Sequence, residues 1–123
     1  MPDLLFWVYL ANAVTIIVHE IDSAYWREWE LFRLPGGLTG FLLLHFPLVA
    51  LILVGLVHVA QGLDSGLIVS MVLSLGGLFA FGIHRYFISR GRDEFKTPVS
   101  QSILLATLLL SLAQGALTLQ RLL

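Results

Sequence analysis

Four apolar runs, each long enough to cross a bilayer and each ended by a short polar break, constrain this chain more than any other feature. A hydrocarbon core takes roughly 17–25 mostly apolar helical residues per crossing. The runs Leu4 to Ile21, Leu38 to Gln61, Leu67 to Ser89 and Val99 to Leu119 come close to that length. In lipid each backbone N–H and C=O must be satisfied within its own segment, so the runs are expected to be helical, and their short connections make consecutive helices antiparallel neighbours. The expected fold is all-α: an integral membrane four-helix up-down bundle forming one domain over residues 1–123.

The breaks carry suitable chemistry. Leu34-Pro35-Gly36-Gly37 cannot continue a helix, Gln61-Gly62-Leu63-Asp64-Ser65 reads as a turn with Asp64 or Ser65 as N-cap, and Thr97-Pro98 places proline near the start of the last helix. Between Ser23 and Arg33 aromatic residues alternate with charges, a composition suited to the headgroup layer; this stretch either prolongs the first helix or lies along the surface, with Trp26 and Trp29 at headgroup level. Met1-Pro2-Asp3 has no basic region before the first apolar run, which therefore reads as a retained span, not a cleaved signal.

Composition narrows the function classes. With 58% hydrophobic and 12% charged residues the surface must lie largely in lipid, and a net charge of −1 offers no attraction to nucleic acid, which is not expected as a partner. Membrane lipid is the expected surround. The absence of cysteine removes disulfides, thiolate nucleophiles and Cys-ligated metals, so any metal here must use His and carboxylate. Six of the seven basic residues, Arg27, Arg33, Arg85, Arg90, Arg92 and Lys96, fall on the side reached by the ends of the first and third spans. The positive-inside bias makes that side cytoplasmic, which predicts a multi-pass protein of the cell inner (plasma) membrane with both termini outside.

Helical geometry decides which polar groups can meet. Asn12, Thr15, His19, Asp22 and Trp26 form a stripe on the first span, Ser70, Ser74, Gly77, Phe81 and His84 on the third, and Ser100, Thr107, Ser111, Gln114 and Thr118 on the fourth. Lipid would reject such stripes, so they are expected to face inward, most of their members in ordinary interhelical packing and hydrogen bonding.

Ionisable groups within spans demand more, since each is costly there and marks a candidate site. Antiparallel alternation brings His19, Glu20, Asp22, His45, His84 and Arg85 to one level near the cytoplasmic end, whereas His58 is carried toward the opposite surface as an interfacial residue. Imidazoles and carboxylates on adjacent helices suit zinc or non-haem iron. The expected metal ligands are His19, Asp22, His45 and His84; a metal-free acid/base or ligand-binding cluster and a structural hydrogen-bonded network are the alternatives. Glu20 and Arg85 are the candidate catalytic groups, with Glu20 within reach of either Arg27 or Arg85. Glu28, Glu30, Asp93 and Glu94 are expected to be solvated loop charges.

The run His19-Glu20-Ile21-Asp22-Ser23-Ala24-Tyr25-Trp26, at the end of a first span, resembles uncharacterised small bacterial membrane proteins whose first helix carries an H-x-x-E-E motif and whose later spans carry further histidines. Asp22 stands where that pattern has its first Glu and Ser23 where it has the second. The resemblance implies a metal-binding or enzymatic membrane protein of unknown substrate. A looser, fold-level analogy is to four-span lipid isomerases of the sterol-isomerase type, whose acidic and His groups work inside a bundle open to the bilayer.

Two functional readings follow. In one, the cluster is an enzyme-like site for a lipidic or amphipathic molecule entering the cytoplasmic leaflet, with Arg85 meeting a substrate anion and Tyr25, Trp26 and Trp29 rimming the entrance. In the other, the chain is a non-catalytic accessory or small-molecule-binding protein whose buried His and acids satisfy one another. Gly55, Gly76, Gly77 and Gly82 would permit close helix approach, including in an oligomer.

Overall fold

The computed structural model describes residues 2–123. Four long apolar helices cross the length of the bundle: α1 (Leu4–Tyr25), α3 (Gly37–Ala60), α4 (Asp64–Ser89) and α5 (Pro98–Leu122). A single-turn helix, α2 (Glu28–Leu31), lies between the first two. Local signals fix the ends. Asp3 caps α1 by accepting from the Phe6 N–H at 3.1 Å, and Thr97 caps α5 by accepting from the Ser100 N–H at 3.1 Å with Pro98 at the first position. Before α3, Gly36 takes φ +95°, a left-handed conformation that glycine adopts without strain. The third apolar run differs from expectation in its start: Leu63 is the N-cap of α4, and the Ser65 hydroxyl instead pairs with His58 Nδ1 at 2.9 Å.

The helices form a closed ring in the order α1, α3, α4, α5, so α1 and α4 stand diagonally. This is the up-down bundle that short connections require. At the end away from the basic loops, Arg121 Nη1 reaches Asp3 Oδ2 at 2.7 Å and ties the start of α1 to the end of α5.

The inward faces follow the stripes closely. Asn12, His19, Ser70, Ser74, His84, Ser100, Thr107, Ser111, Gln114 and Thr118 are all buried. Thr15 and Asp22 sit on the flank of α1, because the true centre of its inner face runs through Leu5, Tyr9, Ala13, Ile16 and Ser23; Thr15 turns back to donate to the Ala11 carbonyl.

Gln114 is the hub of the polar core. Its Oε1 accepts from Asn12 Nδ2 at 2.9 Å, and its Nε2 donates to both the carbonyl and the hydroxyl oxygen of Ser70 at 3.0 Å. Ser74 adds a bond to the Ser111 carbonyl at 2.6 Å, which requires α4 and α5 to approach closely. Gly77 permits it: a Cβ there would overlap the Ser111 hydroxyl. Gly55 does the same beside Tyr9 and Val69, while a Cβ on Gly76 or Gly82 would meet nothing within 4 Å. Two of the four glycines expected to allow close approach therefore serve seams inside the bundle.

Candidate metal centre

The segment after α1 neither prolongs that helix nor lies flat on the surface. Arg27 (φ +54°) and Arg33 (φ +55°) both take left-handed backbone conformations, so the chain reverses on either side of α2 and folds back over the bundle end. Trp29 packs on Phe41 with ring centroids 5.5 Å apart, Phe32 packs on Phe87 at 5.7 Å, and Leu31 is buried. Glu28 lies on the same face as Leu31 and Phe32, three and four residues on, and is drawn in with them. Its side chain is only 14% exposed. This corrects the expectation that Glu28 is a solvated loop charge. Glu30, Asp93 and Glu94 do form surface pairs, with Arg27, Lys96 and Arg92 respectively.

Glu28 arrives beside two histidines. Donor atoms of His19, Glu28 and His84 all lie within 4.8 Å of one another, and His84 Nε2 stands 3.9 Å from Glu28 Oε2. The His19 and His84 rings meet edge to face at 4.9 Å. Phe95, from the loop between α4 and α5, closes the group with its ring 4.1 Å from His84 and 5.5 Å from His19. It is 1% exposed and holds φ +67°, a sparsely populated conformation for a non-glycine residue that persists only where packing imposes it. His19 Nδ1, His84 Nδ1 and Glu28 Oε2 are buried with no hydrogen-bond partner.

A zinc ion with bonds of about 2.0–2.2 Å would hold tetrahedral ligand atoms roughly 3.3–3.5 Å apart. The separations here are somewhat wider, so small side-chain rotations would bring the three donors to that spacing. Two imidazoles and one carboxylate match the donor set of catalytic zinc and of non-haem iron.

The other expected site residues are placed differently. His45 belongs to a separate pair: its Nε2 meets Glu20 Oε2 at 2.6 Å and its Nδ1 meets the Phe41 carbonyl at 2.6 Å. Glu20 thus pairs with His45 and with neither Arg27 nor Arg85. Asp22 Oδ1 accepts from Trp26 Nε1 at 2.9 Å, and Asp22 is outside the three-residue group. Arg85 is exposed and donates to Gln101 Oε1 at 3.1 Å. His58, paired with Ser65, lies at the far end of α3.

Burial pushes the Glu28 carboxyl up to about 7, with the Ser23 hydroxyl opposing the shift and Glu20 adding to it. A carboxyl whose pKa is raised on folding contributes full stability while protonated and loses it as pH climbs through the folded value. Metal-stripped protein should therefore lose on the order of 3 kcal/mol between about pH 4.5 and pH 7 and level off above. Unfolding titrations in detergent would read this. Glu28→Gln should flatten the profile, and an unchanged slope in that variant would mean that another group sets it.

The fold and this site together define a small membrane protein: a bundle of four apolar helices, each long enough to span a bilayer, with a buried His/Glu group within metal-binding distance at one end. The chain belongs to the family of unknown function DUF6713, which matches residues 5–121. The match shows a family of unknown function and does not extend to the H-x-x-E-E motif or to a bacterial origin. Neither a curated protein nor a solved structure matches the chain.

Proposed function

We propose that this protein is a membrane metalloprotein in which His19, Glu28 and His84 bind one zinc or ferrous ion, and that the site acts on a lipidic or amphipathic molecule arriving from the bilayer. The observation that carries the reading is the convergence of His19, Glu28 and His84, whose ligand atoms all lie within 4.8 Å of one another. Buried atoms without a hydrogen-bond partner occur elsewhere too, on Asn12, Asp22 and Thr107, but among the described residues only this group brings two imidazoles and a carboxylate to metal-binding distance. A metal ion would engage one ligand atom from each of the three residues.

Three protein ligands leave at least one coordination position for water or substrate, the arrangement of catalytic centres and not of closed structural ones. A zinc or ferrous ion would supply Lewis acidity there. Phe95, Phe32 and the rest of the aromatic cap would keep bulk water from the group. Glu20 with His45 is a second acid/base pair in the bundle. Arg85, exposed at the end of α4, is suited to a lipid anion at headgroup level and not to the ion itself. The concentration of basic residues at this end supports a cytoplasmic site, with both termini outside and the protein in the plasma membrane.

Metal analysis of protein purified in mild detergent without chelators tests the reading. One zinc or iron per chain is expected in the wild type and in His58→Ala, and close to none in His19→Ala, Glu28→Ala and His84→Ala. A wild type that purifies metal-free and takes up neither ion on addition would leave the alternative, a non-catalytic accessory or small-molecule binder.

A further inference from the structure

Between α1, α3 and α4 the bundle leaves a cleft of about 190 Å³. Its walls are aliphatic, built from residues such as Ile16, Ile52, Val69 and Leu73, and Glu20 and His45 are its two ionisable members. Leu48, Leu51 and Val72 stand exposed at the rim, so it opens sideways between membrane-spanning helices. Gly76 lines it too, and the space a Cβ would occupy there is open to 4 Å. Apolar cavities of about 150 Å³ stay dry and bind benzene. A cleft of this size and lining therefore suits a stretch of alkyl chain and gives water few partners.

The polar end of the cleft restricts the head group. The Phe41 carbonyl can only accept, so His45 Nδ1 carries a proton and donates to it. One further proton lies between His45 Nε2 and Glu20 Oε2, and on whichever atom it sits the pair is neutral overall. That bond occupies one oxygen of Glu20 and leaves the other to accept. A carboxylate head would bring a buried negative charge against the free oxygen of Glu20, with no net positive charge in the pair to offset it. An ammonium would be buried beside a pair with no net charge to compensate it. A neutral hydroxyl donates one hydrogen bond and adds no charge.

We propose that this cleft binds the chain of a single-tailed, hydroxyl-bearing amphiphile, such as a long-chain alcohol or monoacylglycerol, with the hydroxyl donating to Glu20 and with discrimination against the corresponding fatty acid. The inference goes beyond the metal-site reading, since none of His19, Glu28 and His84 lines the cleft, and the binding itself requires no metal.

The test uses the full chain in phosphatidylcholine nanodiscs, stripped of metal, and a hexadecanol analogue carrying a photoactivated diazirine on its tail. Adducts should concentrate on cleft residues, and labelling should fall about tenfold in Gly76→Leu, whose side chain would fill the cleft. Because that substitution meets no neighbour at Cβ, its melting temperature should stay close to that of the wild type. Hexadecanol and monoolein should compete at least about tenfold better than palmitate at pH 8, and Glu20→Ala should erase the difference. His84→Ala should label normally, and a wild type that labels in this pattern yet binds no metal would support the cleft while removing the metal centre. Equal labelling of Gly76→Leu and wild type, equal competition by palmitate, or adducts spread evenly over the lipid-facing surface would each overturn the proposal.

Discussion

Replacing Gly77 with leucine should separate α4 from α5 and leave little folded protein in mild detergent. A Cβ at this position would overlap the Ser111 hydroxyl and lie 3.0 Å from Thr107 Cγ2 and 3.1 Å from Ser111 Cβ before the rest of the side chain is added. Neither helix can yield cheaply, because Ser74 already holds the Ser111 carbonyl at 2.6 Å and Gly115 already admits Ser74 closely. Overpacking of a core typically costs 1–3 kcal/mol. Loss of the bonds from Ser74 and Gln114 would add to that, for a total of about 3 kcal/mol or more. Gly76→Leu, one residue earlier, is the control. Melting curves that placed the two variants together would show that the α4–α5 seam is not what holds the bundle.

Zinc or ferrous iron at a hundredfold excess over its dissociation constant should stabilise the wild type by about 2.7 kcal/mol and raise its melting temperature accordingly. His84→Ala and His19→Ala should show no such rise, and His58→Ala should behave as wild type. In metal-free protein the loss of His84 should cost little, since it removes one member of a crowded group whose buried atoms have no partners. A structural network would behave in the opposite way, with no metal effect in the wild type and with His19→Ala and His84→Ala both losing roughly 1–3 kcal/mol. These two patterns cannot be confused.

Periodicity made most of the fold legible, because in lipid a polar stripe at spacings of three and four has only one direction to face. The stripe of α5, Ser100, Thr107, Ser111, Gln114 and Thr118, is buried residue for residue. Helix ends fell where proline, glycine and capping residues stand in the sequence, apart from the start of α4. The candidate site was legible in composition and level but not in partnership. Glu20 is turned about 100° from His19 around the helix, and that rotation carries it across to α3 and His45, dividing the expected cluster in two. Glu28 was hidden for another reason. An acid between Arg27 and Trp29 looks like headgroup composition, and only the spacing of Glu28, Leu31 and Phe32 signals a turn with an inward face. Two left-handed arginines, which no residue preference announces, complete that fold-back.

The hydrogen bonds are unevenly shared among the helices, and this bears on how a guest could reach the interior. Among the described residues, the side-chain bonds from α3 to other spans are Tyr9 to the Ile52 carbonyl, His45 with Glu20, and His58 with Ser65. The first two run to α1, and the third sits at the turn into α4. Along its mid-membrane length the α3–α4 boundary is therefore held by van der Waals contact alone. A lipid tail is as apolar as the side chains it would displace, so parting this boundary exchanges one hydrocarbon contact for another with no polar group stripped of its partner. Pro47 further loosens α3 by removing one of its internal backbone bonds. A guest entering the cleft laterally through this boundary would leave the polar core of α1, α4 and α5 intact.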